Sequence, residues 1–207
     1  MVPYNVAYLG EGRFHKGVAG DLYADRHEGT RDLAENIGDG PAALKLSDQM
    51  LGLAWGKLLI NLNNAVNALS GRTLIEELKQ RDYRRVFAAS MHEGLELLEE
   101  AEIEPVAAGP IPPSRLPRMI DTPDWLFNRF FLKRWKIDAK ARSSMSDDLV
   151  AGRKTEVDYI NGELVRLAER LQRDAPVNAA IVDLVRKAET GAKPLDPAAL
   201  RKAALGR

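Results

Sequence analysis

Lys57, Asn61 and Asn64 stand at i, i+4 and i+7 in the stretch WGKLLINLNNAVNALSG, residues 55–71. That spacing puts three polar side chains on one face of a helix. Asn63 and Asn67 add two further amides to the same run. Asparagine is a mediocre helix former because its amide competes for backbone hydrogen bonds, so a helix that keeps four of them among leucines uses their side chains. A polar helix stripe is ordinarily a solvated face, and a lone lysine is ordinarily a surface charge. Here no Glu or Arg occurs between Trp55 and Gly71, and the stripe reads instead as the wall of a cleft. A second set lies in RSSMSDDLVAGRKTEVDYING, residues 142–162. Acids in the first turn of a helix complement its dipole, which accounts for Asp158 better than for Glu156. Ser143 and Ser144, read as lying within a helix over 139–151, would weaken it. Ser144 and Glu156 are therefore taken as functional, with Asp147 and Asp148 as solvated acids.

The elements that carry these residues follow from pattern. Leu58, Leu59, Leu62, Val66 and Leu69 recur at helical spacing, which predicts one long helix from Gln49 to Gly71, capped by Ser47 or Asp48. Residues 1–25 differ: Tyr4, Val6, Tyr8, Phe14 and Val18 sit between glycines 10, 12, 17 and 20, the pattern of two short strands joined by a glycine turn. A helix is expected over 30–37, a strand over 42–46, and a helix capped by Asp82 that runs to about Ile103. Six of the eleven prolines fall between Glu104 and Pro123, which predicts a loop there. The aromatic run Trp125, Phe127, Phe130, Phe131 and Trp135 predicts a short helix that serves as core or subunit contact. Helices are expected over 157–172 and 177–190, and the tail from Ala192 as a frayed last helix.

Composition narrows the function. Thirty basic residues balance thirty acidic ones, so no electrostatic case exists for nucleic acid or an anionic membrane as partner. Cysteine is absent, which removes disulfides and thiolate chemistry and suits a reducing cytoplasm. His15, His27 and His92 show no ligand spacing, so no metal is expected. No run is long and apolar enough to span a membrane. Neither GxGxxG nor a P-loop occurs.

WGKLLINLNNAVNAL, SSMSDDL and TEVDYINGE, in that order, resemble the C-terminal domain of ketopantoate reductases (2-dehydropantoate 2-reductases). The resemblance covers roughly residues 45–190, and MVPYNVAYLGEGRFHKG resembles the last strands of the family's nucleotide domain. It implies a mainly α fold, a helical bundle-like domain of the ketopantoate reductase and 6-phosphogluconate dehydrogenase C-terminal type. A few short strands left over from a Rossmann-type domain would precede it. Residues 1–46 would be that remnant, residues 47–191 the substrate-binding and catalytic domain, and residues 192–207 a tail.

The family reduces 2-dehydropantoate to pantoate with NADPH, on the route to pantothenate and coenzyme A. By resemblance, Lys57 is the general acid to the ketone oxygen, Asn61 and Ser144 hold the substrate, and Glu156 supports the lysine and the substrate hydroxyl. A further family asparagine would fall at Ala65, so that contact is missing or supplied by Asn64. Hydride addition builds negative charge on the ketone oxygen, which an ammonium can neutralise and protonate. NADPH would sit on a Rossmann half bearing a Gly-rich turn, and this sequence has none. The chain is accordingly expected to be a fragment, inactive alone, needing a separate nucleotide-binding domain. The rival expectation is a non-catalytic helical module that forms a homodimer through the aromatic run at 125–135 and the exposed N-terminal strands, or a reductase for another 2-keto acid.

Overall fold

The structure, a computed structural model, describes residues 1, 6–16, 21–107, 111–135 and 137–206. The expectations placed on Tyr4, Val18, Gly17, Gly20 and Pro110 lie outside the described residues. The fold is mainly α with four short strands among the described residues. It divides into two compact units, Met1–Lys57 with Glu104–Pro110 and Leu58–Ile103 with Ile111–Arg207, the division falling inside a helix.

In the first unit, strands β1 (Val6–Tyr8) and β2 (Phe14–Lys16) form an antiparallel hairpin. Its turn needs left-handed backbone at Gly10, Glu11 and Gly12, which the two glycines adopt without strain. Strand β3 (Leu22–Asp25), not foreseen from the sequence, pairs in parallel with β4 (Leu44–Ser47). Helix α1 (Glu28–Ile37) makes the crossover that parallel pairing requires. The Thr30 hydroxyl accepts the His27 amide at 3.0 Å and so closes its first turn.

The predicted long helix is two. Helix α2 (Met50–Asn61) and helix α3 (Asn63–Ser70) are separated at Leu62, whose backbone stays right-handed and whose amide still donates to Leu58 O. Gly71, at φ 62°, ends α3 as expected. In the second unit, α4 (Leu74–Leu78) is opened by a reciprocal Thr73–Glu76 cap. Helix α5 (Arg81–Glu100) follows, with Asp82 in its first turn rather than at its cap. The proline-rich stretch is not loop throughout. A 3₁₀ turn over Pro113–Arg115 leads into α6 (Leu116–Ile120), where Pro117 sits early enough to lose no helical hydrogen bond.

The aromatic run breaks into α7 (Asp124–Leu126), a π turn and a 3₁₀ turn. Phe127 is fully buried against Phe131 and the edge of Trp135, while Trp125 and Phe130 are exposed. Helices α8 (Ser144–Val150), α9 (Asn161–Arg170), α10 (Pro176–Glu189) and α11 (Pro197–Leu205) complete the unit. The tail is not frayed. Asp196 caps α11, Leu200 is buried, and Arg201 pairs with Asp82 of α5 at 2.9 Å. Leu59, Leu62 and Val66 share the core with Tyr83, Met91, Leu98, Leu164, Ile181 and Leu200, all fully buried.

Candidate functional site

In the first unit, Lys57 closes a helical segment seated directly on neighbouring backbone. The Val106 amide donates to Gly52 O at 2.9 Å. A β-carbon on Gly56 would lie 1.8 Å from Val106 O, and one on Gly52 would lie 2.5 Å from Glu104 O. Two glycines one turn apart thus let residues 104–106 lie against α2 with no side chain between. The half-buried Lys57 follows the second of them, and the half-buried Asn61 stands one turn further along the same helix.

In the second unit, Asn64 and Ser144 come together through Ser143. The Ser143 hydroxyl donates to Asn64 O at 3.0 Å and accepts the Ser146 amide at 3.1 Å. Ser143 and Ser144 therefore do not sit within a helix and weaken it. Ser143 is the cap of α8, its backbone extended, and Ser144 is the first helical residue, exposed beside the half-buried Asn64. Serine's habit of bonding nearby backbone, unfavourable inside a helix, is what a cap uses.

Glu156 does not open a helix. Its carbonyl accepts the Tyr159 and Ile160 amides, forming a 3₁₀ turn over Val157–Tyr159 before α9 starts at Asn161. Thr155 is drawn away, donating its amide and its hydroxyl to Glu189 Oε1, both at 2.7 Å. The Glu156 side chain is exposed and, among the described residues, makes no hydrogen bond to Asn61, Asn64 or Ser144. Asp158 pairs with Arg186 at 2.8 Å on the surface, an ordinary use of that acid.

The strongest electrostatic feature lies behind Asn64 and Ser144. Glu77 is fully buried, and burial pushes its carboxyl up to about 8 against the pull of hydrogen bonds from Asn63 and Asn67 and of the Arg84 charge. Asn63 Nδ2 donates to Glu77 Oε2 at 3.1 Å, and Asn67 Nδ2 approaches it at 3.5 Å. Asn67 Oδ1 accepts the Ser143 amide at 2.9 Å. The sequence had already displayed Asn63 and Asn67 within the amide-rich run. Its one overlooked signal was the four-residue interval between them, which turns both toward a single buried acceptor. Arg84, also fully buried, donates to the carbonyls of Leu78, Ile120 and Thr122 and to Asp124, and lies 4.2 Å above the Phe127 ring.

Residues 49–189 match the family described as ketopantoate reductase PanE/ApbA C terminal. A 2-dehydropantoate 2-reductase of Pyrobaculum aerophilum is 28% identical over 190 residues, covering 92% of this chain and 61% of that relative. The chain thus spans less than two thirds of the length of the curated relatives it matches. The PanE/ApbA family ketopantoate reductase of Ralstonia eutropha JMP134 superposes with a TM-score of 0.70 at 21% identity, over 90% of this chain and 57% of that one. A D-mandelate dehydrogenase solved with NADH and anilino(oxo)acetate gives 0.69 at 18% identity, over 90% and 58%. At those identities the solved structures establish the fold.

Proposed function

The chain belongs to the ketopantoate reductase family, of which residues 49–189 are the C-terminal domain, and from that premise we propose that it is the substrate side of an NADPH-dependent 2-keto acid reductase acting on 2-dehydropantoate. Lys57 donates a proton to the ketone oxygen as negative charge develops there. Asn61, with Asn64 beside it, supplies neutral donors and acceptors to the substrate. The Ser144 hydroxyl takes the carboxylate, and Glu156 takes the substrate hydroxyl and supports the lysine's charge. The observation that carries this reading is the hydrogen bond from Ser143 to Asn64 O. It joins two motifs 79 residues apart in the chain, each bearing one of the proposed substrate ligands.

NADPH would supply hydride, but the described residues do not fit its pyrophosphate. The turn from β3 into α1 reads Asp25-Arg26-His27-Glu28, with two acids, no glycine before the helix begins, and its one arginine paired with Asp48, where a phosphate cradle needs close backbone and available positive charge. The proposal assigns the nucleotide to a separate nucleotide-binding domain and places the enzyme in the cytoplasm. A second reading, a homodimerising module without chemistry, draws on the exposed Trp125 and Phe130.

Pantoate titrated into the chain should bind saturably, and Ser144→Ala or Asn61→Ala should each weaken binding about tenfold, the worth of one hydrogen bond to a charged group. Absence of binding overturns the keto-acid reading. With a nucleotide-binding domain supplied, Lys57→Ala should lower kcat by roughly 10²- to 10⁴-fold; an unchanged rate removes Lys57 from its role.

A further inference from the structure

Asn67 and Glu77 have no part in the chemistry above, yet both are fully buried. A carboxyl and an amide in a core are each destabilising unless their bonds are made, and here the two are bonded to each other. Asn67 uses both ends of its amide. Nδ2 is held by Arg72 O at 3.2 Å and Glu77 Oε2 at 3.5 Å, and Oδ1 accepts the backbone amide of Ser143 at 2.9 Å. That amide belongs to the residue immediately before Ser144.

We propose that Asn67, oriented by Glu77, is a positioning residue: it pins the start of α8 to α3 and so sets where Ser144 presents its hydroxyl to the substrate carboxylate. The proposal rests on the Ser144 assignment made above. The pin is doubled, because the Ser143 hydroxyl also donates to Asn64 O. Without Asn67, Ser143 keeps only that one bond to α3, and a displacement of about an ångström at a substrate contact is enough to impair positioning. The acid is suited to the task. Glu77 Oε1 and Asn63 Oδ1 are buried acceptors without a partner among the described residues. A proton retained on the carboxyl turns one oxygen into a donor while the other still receives Asn63 and Asn67.

The test uses the full chain, with pantoate as probe and amide hydrogen exchange read by NMR. Asn67→Ala should accelerate exchange of the Ser143 amide at least tenfold and raise the pantoate Kd about tenfold, one hydrogen bond's worth. Glu77→Gln, neutral and still an acceptor for both asparagines, should keep both values within about twofold. Asn178→Ala, which breaks a different buried cluster, serves as the control for general destabilisation and should leave Kd unchanged. Equal Kd shifts in Asn67→Ala and Asn178→Ala, or a wild-type Kd in Asn67→Ala, overturn the proposal while leaving the keto-acid reading intact. A wild-type chain that ignores pantoate overturns both.

Discussion

The helical unit buries two clusters of polar side chains, each built around a glutamate and asparagines, and they differ in how their bonds are supplied. Around Asn178, the amide oxygen accepts Ser90 Oγ at 2.7 Å and Asn161 Nδ2 at 2.9 Å, and its nitrogen donates to Ser90 O and to Glu93. Glu93 is half-buried and also receives the Val177 and Asn178 amides in the first turn of α10. Those backbone donors have no partner inside their own helix, so this carboxylate completes the fold while the fold stabilises it. Glu77 has no such help. Among the described residues it receives side-chain amides alone, and its Oε1 and Asn63 Oδ1 are unmatched, whereas in the first cluster the unmatched oxygen is on Asn161 and both oxygens of the acid are used. The first cluster locks α5, α9 and α10 together. The second keeps a protonated acid bonded to Asn67, which in turn holds the backbone amide before the proposed ligand Ser144, and buried polar groups with unmet bonds tend to carry function.

The largest expected effect belongs to Glu77. In the folded chain Glu77 keeps its proton up to about 8, whereas in the unfolded chain it sheds it near the ordinary 4.5. Between those values unfolding releases a proton, so stability falls as pH rises, by at most about 1.4 kcal/mol per unit. Below the window both states are protonated, and above it both are ionised. Urea melts across pH 5 to 8 should show this decline, and Glu77→Gln should flatten it; a wild-type curve as flat as the variant's would take the proton off Glu77.

Next in size is Asn178→Ala, which removes the acceptor of Ser90 Oγ and Asn161 Nδ2 and one of the donors to Glu93, and should lower unfolding free energy by about 2–3 kcal/mol. A loss below half of that would make the two clusters alike. Smallest is Glu93→Gln, which keeps one acceptor for the α10 amides but removes the charge from their dipole. It should cost about 1 kcal/mol, seen as a modest shift in the urea midpoint.

Helical periodicity made the second unit legible. Leu59, Leu62 and Val66 are buried as their spacing demands, and Gly71 ends the run as a glycine should. What escaped were features decided by tertiary partners. Asn63 and Asn67 look like Asn61 and Asn64 in sequence, and Glu77 on another helix is what sends the first pair inward. The break at Leu62 has no Pro or Gly to announce it. Ser143 reads in sequence like a helix interior because a cap differs from an interior residue only by where the chain has come from. Strand β3 was hidden because its hydrogen-bond partner, β4, lies beyond a whole helix. The motif residues Lys57, Asn61, Ser144 and Glu156 were visible as a family pattern, whereas the pins behind Ser144 belong to packing alone.

The seat beneath α2 has a consequence for variation. Every amino acid other than glycine carries a β-carbon, and at position 56 that atom would fall inside the space of the Val106 carbonyl. No side chain at that position leaves residues 104–106 where they are. The identity of the residue before the lysine is thus set by the backbone that lies against it.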